Sequence, residues 1–334
     1  MTRKRILVTG AGGNASRNWI RCLKEFSTGD YYVIGVDTNA VQLEATHGCD
    51  VKVESPRLTD SAWAEKLMHI VKRNRVDFIN FQTDRELARA INFDCFNPYI
   101  FLPSPETIRL CQDKLKTAVE LGSDAPLSTP ATEDFWRLFD KAWLRARTGA
   151  GSKAALPAQT WEIARAWMAY WNFKDGLLPE DFMISAYLPG DEYAHQSLWH
   201  NGVLLGCFLR RRIQYVFAGI MPSGQSSSPS VAESCRHTEA EKVAVAAVLK
   251  VSPCPNGVFG VDMKCDAAGI PKITEINAGR FYTTSDFSAA IGYNMVEAYT
   301  HLFFGSSPKL AAYAPSSYVW VRGMDQSPFC KCLV

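Results

Sequence analysis

Asp262, Glu275 and Asn277 lie in VFGVDMKCDAAGIPKITEINAGR, Val258 to Arg280, where two short apolar runs are joined by a Gly-Pro turn. Alternation in each run predicts strand, so Asp262 and Lys264 point to one side, and Glu275 and Asn277 share a face. A hairpin would bring the acids together. Two carboxylates and an amide oxygen at a sheet surface suit Mg²⁺, which takes hard oxygen ligands and shares its shell with phosphates and water. The plain alternative is a pair of solvated strand acids beside a turn asparagine.

Other segments offer groups for phosphate. WLRARTGAGSKA, Trp143 to Ala154, joins a strand to a glycine-rich basic loop. Gly149 and Gly151 let backbone approach phosphate oxygens, Ser152 adds a donor, and Arg145, Arg147 and Lys153 add charge. The spacing is not that of a Walker loop, and from composition alone a basic surface turn is the plainer reading. Lys114, in CQDKLKTAVELG, stands at a predicted helix start beside Asp113. In VLLGCFLRRR, alternation sends Arg210 and Arg212 to one side and Arg211 to the other. The polar loop PSGQSSSPS, which contains Ser226, follows as either a connection or a substrate cover.

These segments occur in the order expected of an ATP-grasp ligase, and from about Ile6 to Gly305 the chain resembles that superfamily, especially its carboxylate-amine ligases and the synthetase halves of carbamoyl phosphate synthetase. The resemblance implies an α/β chain. An N-terminal Rossmann-like (pre-ATP-grasp) domain, 1–110, would precede an ATP-grasp fold of two α+β subdomains. These are a small subdomain with the glycine-rich lid, 111–185, and a catalytic subdomain with the metal site, 186–310, followed by a tail, 311–334.

It also implies ATP as cofactor, with Mg²⁺, or Mn²⁺ in its place, held by Asp262, Glu275 and Asn277. Lys114, Arg145, Arg147, Gly149, Gly151 and Ser152 would meet phosphate. Backbone at Ala186, Tyr187 and Leu188 would meet adenine, and Glu192, after the Pro189-Gly190 turn, the ribose. Arg210, Arg212 and Arg280 would offset charge in the reaction, although Ala278 and Gly279 separate Arg280 from Asn277 where the family commonly has Pro-Arg. Gly12, Asn14, Asp84, Ser226, Phe281 and Thr283 are substrate candidates. The implied reaction joins a small-molecule carboxylate, activated as an acyl phosphate, to an amine.

The N-terminus supplies a rival. TGAGGNAS follows a strand, Arg5 to Thr9, and Asp37 ends the next, Tyr32 to Asp37, as in the dinucleotide fingerprint of NAD(P)-dependent short-chain dehydrogenases; YWNFK, Tyr170 to Lys174, mimics their Tyr-x-x-x-Lys. Ser16 replaces the third glycine, and Trp161, Ala164, Trp167, Met168 and Trp171 form an apolar helical face around the tyrosine, as core packing does. A third possibility is a non-catalytic nucleotide-binding module. A further strand, VDFINFQTD, is expected to end at Asp84 before the helix ELARAINF. Pro103 and Pro105 mark a boundary, a closing helix runs near Asn294 to Phe304, and the tail carries one strand, SYVWVRGM.

At 334 residues and 47% hydrophobic, the chain can bury the core of two or three domains. Its net charge of +2, with no basic stripe interleaved with aromatics, gives no support for nucleic acid as a partner. No membrane span is expected, and the apolar run after the basic start is too short for a signal peptide. Ten scattered cysteines without a CxxC read as reduced residues of a cytoplasmic protein, and the histidines show no ligand spacing. A homodimer is the default for such an enzyme.

Overall fold

The computed structural model describes residues 3–149, 154–226, 228–323 and 329–332. The first unit alternates β1 (Lys4–Thr9), α1 (Asn14–Lys24), β2 (Tyr31–Asp37), α2 (Ala40–Glu44), β3 (Val51–Glu54), α3 (Trp63–Arg73), β4 (Phe78–Asn80) and α4 (Asp84–Ala90). Its four strands form a wholly parallel sheet in the order β3-β2-β1-β4. Both faces are covered, so the strands read as near-continuous apolar runs such as ILV and VIGV. The strand expected to reach Asp84 stops at Asn80. Thr83 accepts the Glu86 amide and caps α4, which takes Asp84 into the helix.

Helices α5 (Pro105–Gln112) and α6 (Lys114–Leu121) lead to a small antiparallel sheet. It comprises β5 (Ser128–Pro130), β6 (Ala142–Ala146), β7 (Leu156–Ala158) and β8 (Phe182–Ala186), with α7 (Glu133–Trp136) and α8 (Trp161–Asp175) between them. Strand order is β5-β8-β6-β7. This sheet has its own core, in which Leu144 and Ile184 meet Ala164, Met168 and Trp171 of α8. The helical periodicity of α8 buries that stripe as expected. Tyr170 and Lys174 lie on its exposed side.

The remaining strands are β9 (Glu192–His200), β10 (Val203–Tyr215), β11 (Pro229–Ser234), β12 (Gly257–Cys265), β13 (Pro271–Ala278), β14 (Tyr318–Val321) and β15 (Phe329–Cys332). They build a seven-stranded sheet in the order β13-β12-β9-β10-β11-β14-β15, with α9 (Thr238–Val251), α10 (Ser285–Ala290) and α11 (Met295–Phe303) against it. The tail therefore adds two strands to this sheet rather than carrying one strand apart from it. One core joins Leu7 and Ile34 of the parallel sheet, through Ile108 and Leu121, to Phe259 and Ile276 of the large sheet. Among the described residues no helix is long and apolar enough to cross a membrane.

Candidate active site

The hairpin of β12 and β13 sets the floor of the site. Its turn is closed by Asp266, whose carboxylate accepts the amides of Ala268 and Ile270. The register pairs Asp262 with Glu275 and Gly260 with Asn277, and a bulge opposite Asp262 and Met263 accommodates Thr274. Period-two alternation then keeps Asp262, Lys264, Glu275 and Asn277 on one face, and all four line a single cleft of about 1900 Å³.

Each donor on this floor faces a cation. Arg212 donates to Asp262 at 2.6 Å, and the Asn277 side-chain amide reaches the other Asp262 oxygen at 3.4 Å. Arg280 bridges Asn277 and Asp84, linking the large sheet to the parallel one. Burial opposes the charge of both arginines, but Asp262 for Arg212 and Asp84 for Arg280 outweigh it and raise their pKa values. Lys114 lies 3.9 Å from Glu275 and donates to the Gly149 carbonyl at 2.6 Å. Desolvation lowers its pKa, and Glu275 partly offsets that. Arg145 alternates with the inward residues Ala142 and Leu144 on β6, so it faces the cleft, where it donates to the Thr274 carbonyl at 2.7 Å. Burial lowers its pKa as well, against the charges of Glu275 and Asp262.

The connection from β8 to β9 forms another wall. Ser185, Ala186, Tyr187 and Leu188 line the cleft, and Lys141 lies over the Tyr187 ring at 3.6 Å. Glu192 begins β9, level with Lys264 on one side and Arg212 on the other. Its carboxylate takes Lys264 at 2.7 Å, together with Tyr215 and Gln225. Gln225 and Ser226 bring the polar loop after β10 into the wall, and Thr283 lines it while bonding Ser228 at 2.9 Å.

Several expected residues lie elsewhere. Arg147 turns from the cleft to Asp113 at 2.6 Å, because Asp113 caps α6 and its carboxylate sits within reach. Gly151 and Ser152 fall outside the described residues. Gly12 packs against α2, where a Cβ would meet the Gln42 Cβ at 2.8 Å, and its amide goes to Asp37. Asn14 opens α1 without lining the cleft. Gly10, Asp37 and Gln82 supply the parallel-sheet edge instead. Phe281 is a core residue, fully buried against Tyr299, while its neighbour Tyr282 lines the cleft.

Arg210 shares the face of Arg212 but lies beneath Tyr282, 4.4 Å from the ring centroid, where burial pushes its pKa down to about 10. Tyr215 and Thr274 had no motif of their own, whereas Gln225 lies beside Ser226 in the polar loop and Tyr282 between the substrate candidates Phe281 and Thr283. For Lys264 the two-residue spacing from Asp262 was a usable signal.

A parallel-sheet unit, a small antiparallel sheet and a large antiparallel sheet around one cleft make up the ATP-grasp fold. The chain is similar to an L-amino acid ligase from Bacillus licheniformis at a TM-score of 0.71 and 12% identity, over 96% of this chain and 79% of that one. A biotin carboxylase from Campylobacter jejuni, in a complex with a β,γ-ATP compound, gives 0.70 and 14%, over 96% and 76%. N5-carboxyaminoimidazole synthetase from Staphylococcus aureus, complexed with ADP, gives 0.68 and 14%, over 96% and 82%. At these identities the likeness establishes the fold. No family model matches the sequence, and no curated protein matches it either.

Proposed function

We propose that this protein is an ATP-dependent ligase that activates a carboxylate and joins it to an amine. The observation that carries the reading is the convergence of Asp262, Glu275 and Asn277 on one cleft face, ringed by Lys114, Arg145, Arg212 and Arg280. An oxygen of the acid attacks the γ-phosphorus of ATP, the bond to the ADP oxygen breaks, and an acyl phosphate forms. The amine then attacks the acyl carbon, loses a proton, and phosphate leaves.

The donor set fits Mg²⁺, since two carboxylates and an amide oxygen from adjacent strands are hard ligands on one surface; Mn²⁺ suits the same set. When bound, the metal would supply charge neutralisation between the phosphates. The chain's own part is positioning: Lys114, Arg145 and Arg212 offset phosphate charge in a largely desolvated cleft, where fixed cations act most strongly. Backbone at Ala186 to Leu188 would meet adenine. Glu192, oriented by Lys264, would take the ribose hydroxyls, and Arg280 with Asp84 would face the acid or amine.

In this reading residues 1–110 are the Rossmann-like domain, 111–185 the small subdomain and 186–310 the catalytic one. The exposed Tyr170 and Lys174 on α8 do not favour the dehydrogenase alternative. Calorimetric titration with Mg²⁺ and a non-hydrolysable ATP analogue, alongside NAD(H) and NADP(H), tests the proposal. Binding of the analogue that weakens in Glu275→Ala supports it, whereas binding of a nicotinamide cofactor alone overturns it.

A further inference from the structure

Along β12 the cleft face carries Lys264, Asp262 and Gly260 in order, and Lys264 lies level with Glu192 on β9. Strand rise makes the row from Lys264 to Gly260 about 13 Å long. Gly260 has no side chain, and the ring of Tyr282 occupies the space above it, so close that a Cβ at 260 would sit 2.7 Å from the Tyr282 Cζ. A phenol therefore stands at the end of the row away from Glu192. If Glu192 marks the sugar end of a nucleotide and Asp262 its phosphates, the phenol lies where the terminal phosphoryl group departs.

Tyr282 is only 5% exposed, yet it lines the cleft, and its hydroxyl makes no hydrogen bond of good geometry among the described residues, although the Asp262 carboxylate is its neighbour. A buried hydroxyl so poorly paired is unfavourable and favours a better-placed acceptor. Beneath the ring, the Nε and Nη1 of Arg210 are also unpartnered, and no acid lies within ion-pair distance of Arg210 among the described residues. Arg212 stands 5.9 Å from the same centroid. Two cations beside one ring hold it in place.

We propose that the Tyr282 hydroxyl is a catalytic donor to an oxygen of the phosphoryl group in transfer, and that Arg210 is a positioning residue that clamps the ring. This rests on the ligase reading and adds two roles to it. A preorganised donor aimed where negative charge moves is the arrangement that accelerates such a transfer.

Orthovanadate, a mimic of the five-coordinate phosphoryl group, tests the proposal when titrated into protein saturated with MgADP. Tyr282→Phe keeps the ring and the MgADP affinity, and loses about tenfold in vanadate affinity. Arg210→Met gives a loss of the same order, and the double variant adds little, because both changes act through one hydroxyl. A merely structural Arg210 would add its loss independently and weaken MgADP as well. Unchanged vanadate affinity in Tyr282→Phe overturns the proposal, as does a wild-type MgADP complex that does not bind vanadate. Wild-type protein that does not bind MgADP overturns the ligase reading itself, a separate result.

Discussion

Arg212 donates to the Asp262 carboxylate at 2.6 Å, so one oxygen donor of the cleft floor is held by a cation of the protein itself. Both side chains are largely buried, 14% and 17% exposed, and Asp262 stands opposite Glu275. In Arg212→Met the two acids face each other without that cation. The variant is expected to lose about 2 kcal/mol in chelator, a fall of about 4 °C in melting temperature. Mg²⁺ should return more of this in the variant than it adds to the wild type. Thermal melts with EDTA and with Mg²⁺ check this, and an equal Mg²⁺ shift in both proteins counts against it.

The floor under Tyr282 admits only hydrogen at position 260. Gly260→Ala should push the ring from its seat and cost about 1–3 kcal/mol through overpacking. A melt followed by circular dichroism gives the answer; an unchanged midpoint would mean that the ring moves freely.

Lys114 and Arg147 are separable. Arg147→Ala removes a partly exposed ion pair to Asp113, costs up to about 1 kcal/mol in stability, and should leave affinity for an ATP analogue within about twofold. Lys114→Ala removes the buried cation beside Glu275 and should weaken the analogue about tenfold. Calorimetry on both variants decides, and equal losses would contradict the orientation of Arg147.

His195 introduces a pH dependence away from the cleft. It is fully buried on the opposite face of β9 with neither ring nitrogen hydrogen-bonded among the described residues, and burial pushes its pKa down to about 4 against the opposing charge of Glu241. The unfolded chain takes its proton near pH ~6.5 while the folded one does not, so this stability is complete above that pH and is lost as pH falls toward 4. The loss is at most about 3 kcal/mol. Urea unfolding at pH 7.5 and pH 5 should show a smaller difference in His195→Leu than in the wild type.

The hairpin of β12 and β13 was legible because alternation and turn residues are local properties, and the side of a strand that Asp262 or Glu275 takes follows from counting by two. Counting also placed Arg211 opposite its neighbours, where it pairs with Glu233. It failed at strand ends. Arg147 lies just past the end of β6, where the register no longer determines direction, and its partner Asp113 is 34 residues away. Phe281 and Tyr282 show the same limit: one buries and the other lines the cleft, and no pattern in GRFYTTS distinguishes them.

Composition, periodicity and the order of motifs determined that the chain is α/β, that a glycine turn follows its first strand, and that an acidic hairpin lies near its end. Tertiary structure decided which residues face one another: Arg280 with Asp84, Lys114 with Glu275, and Tyr282 over Gly260. Local preferences act over a few residues, whereas these contacts join segments brought together only when the parallel and large sheets bury a common core.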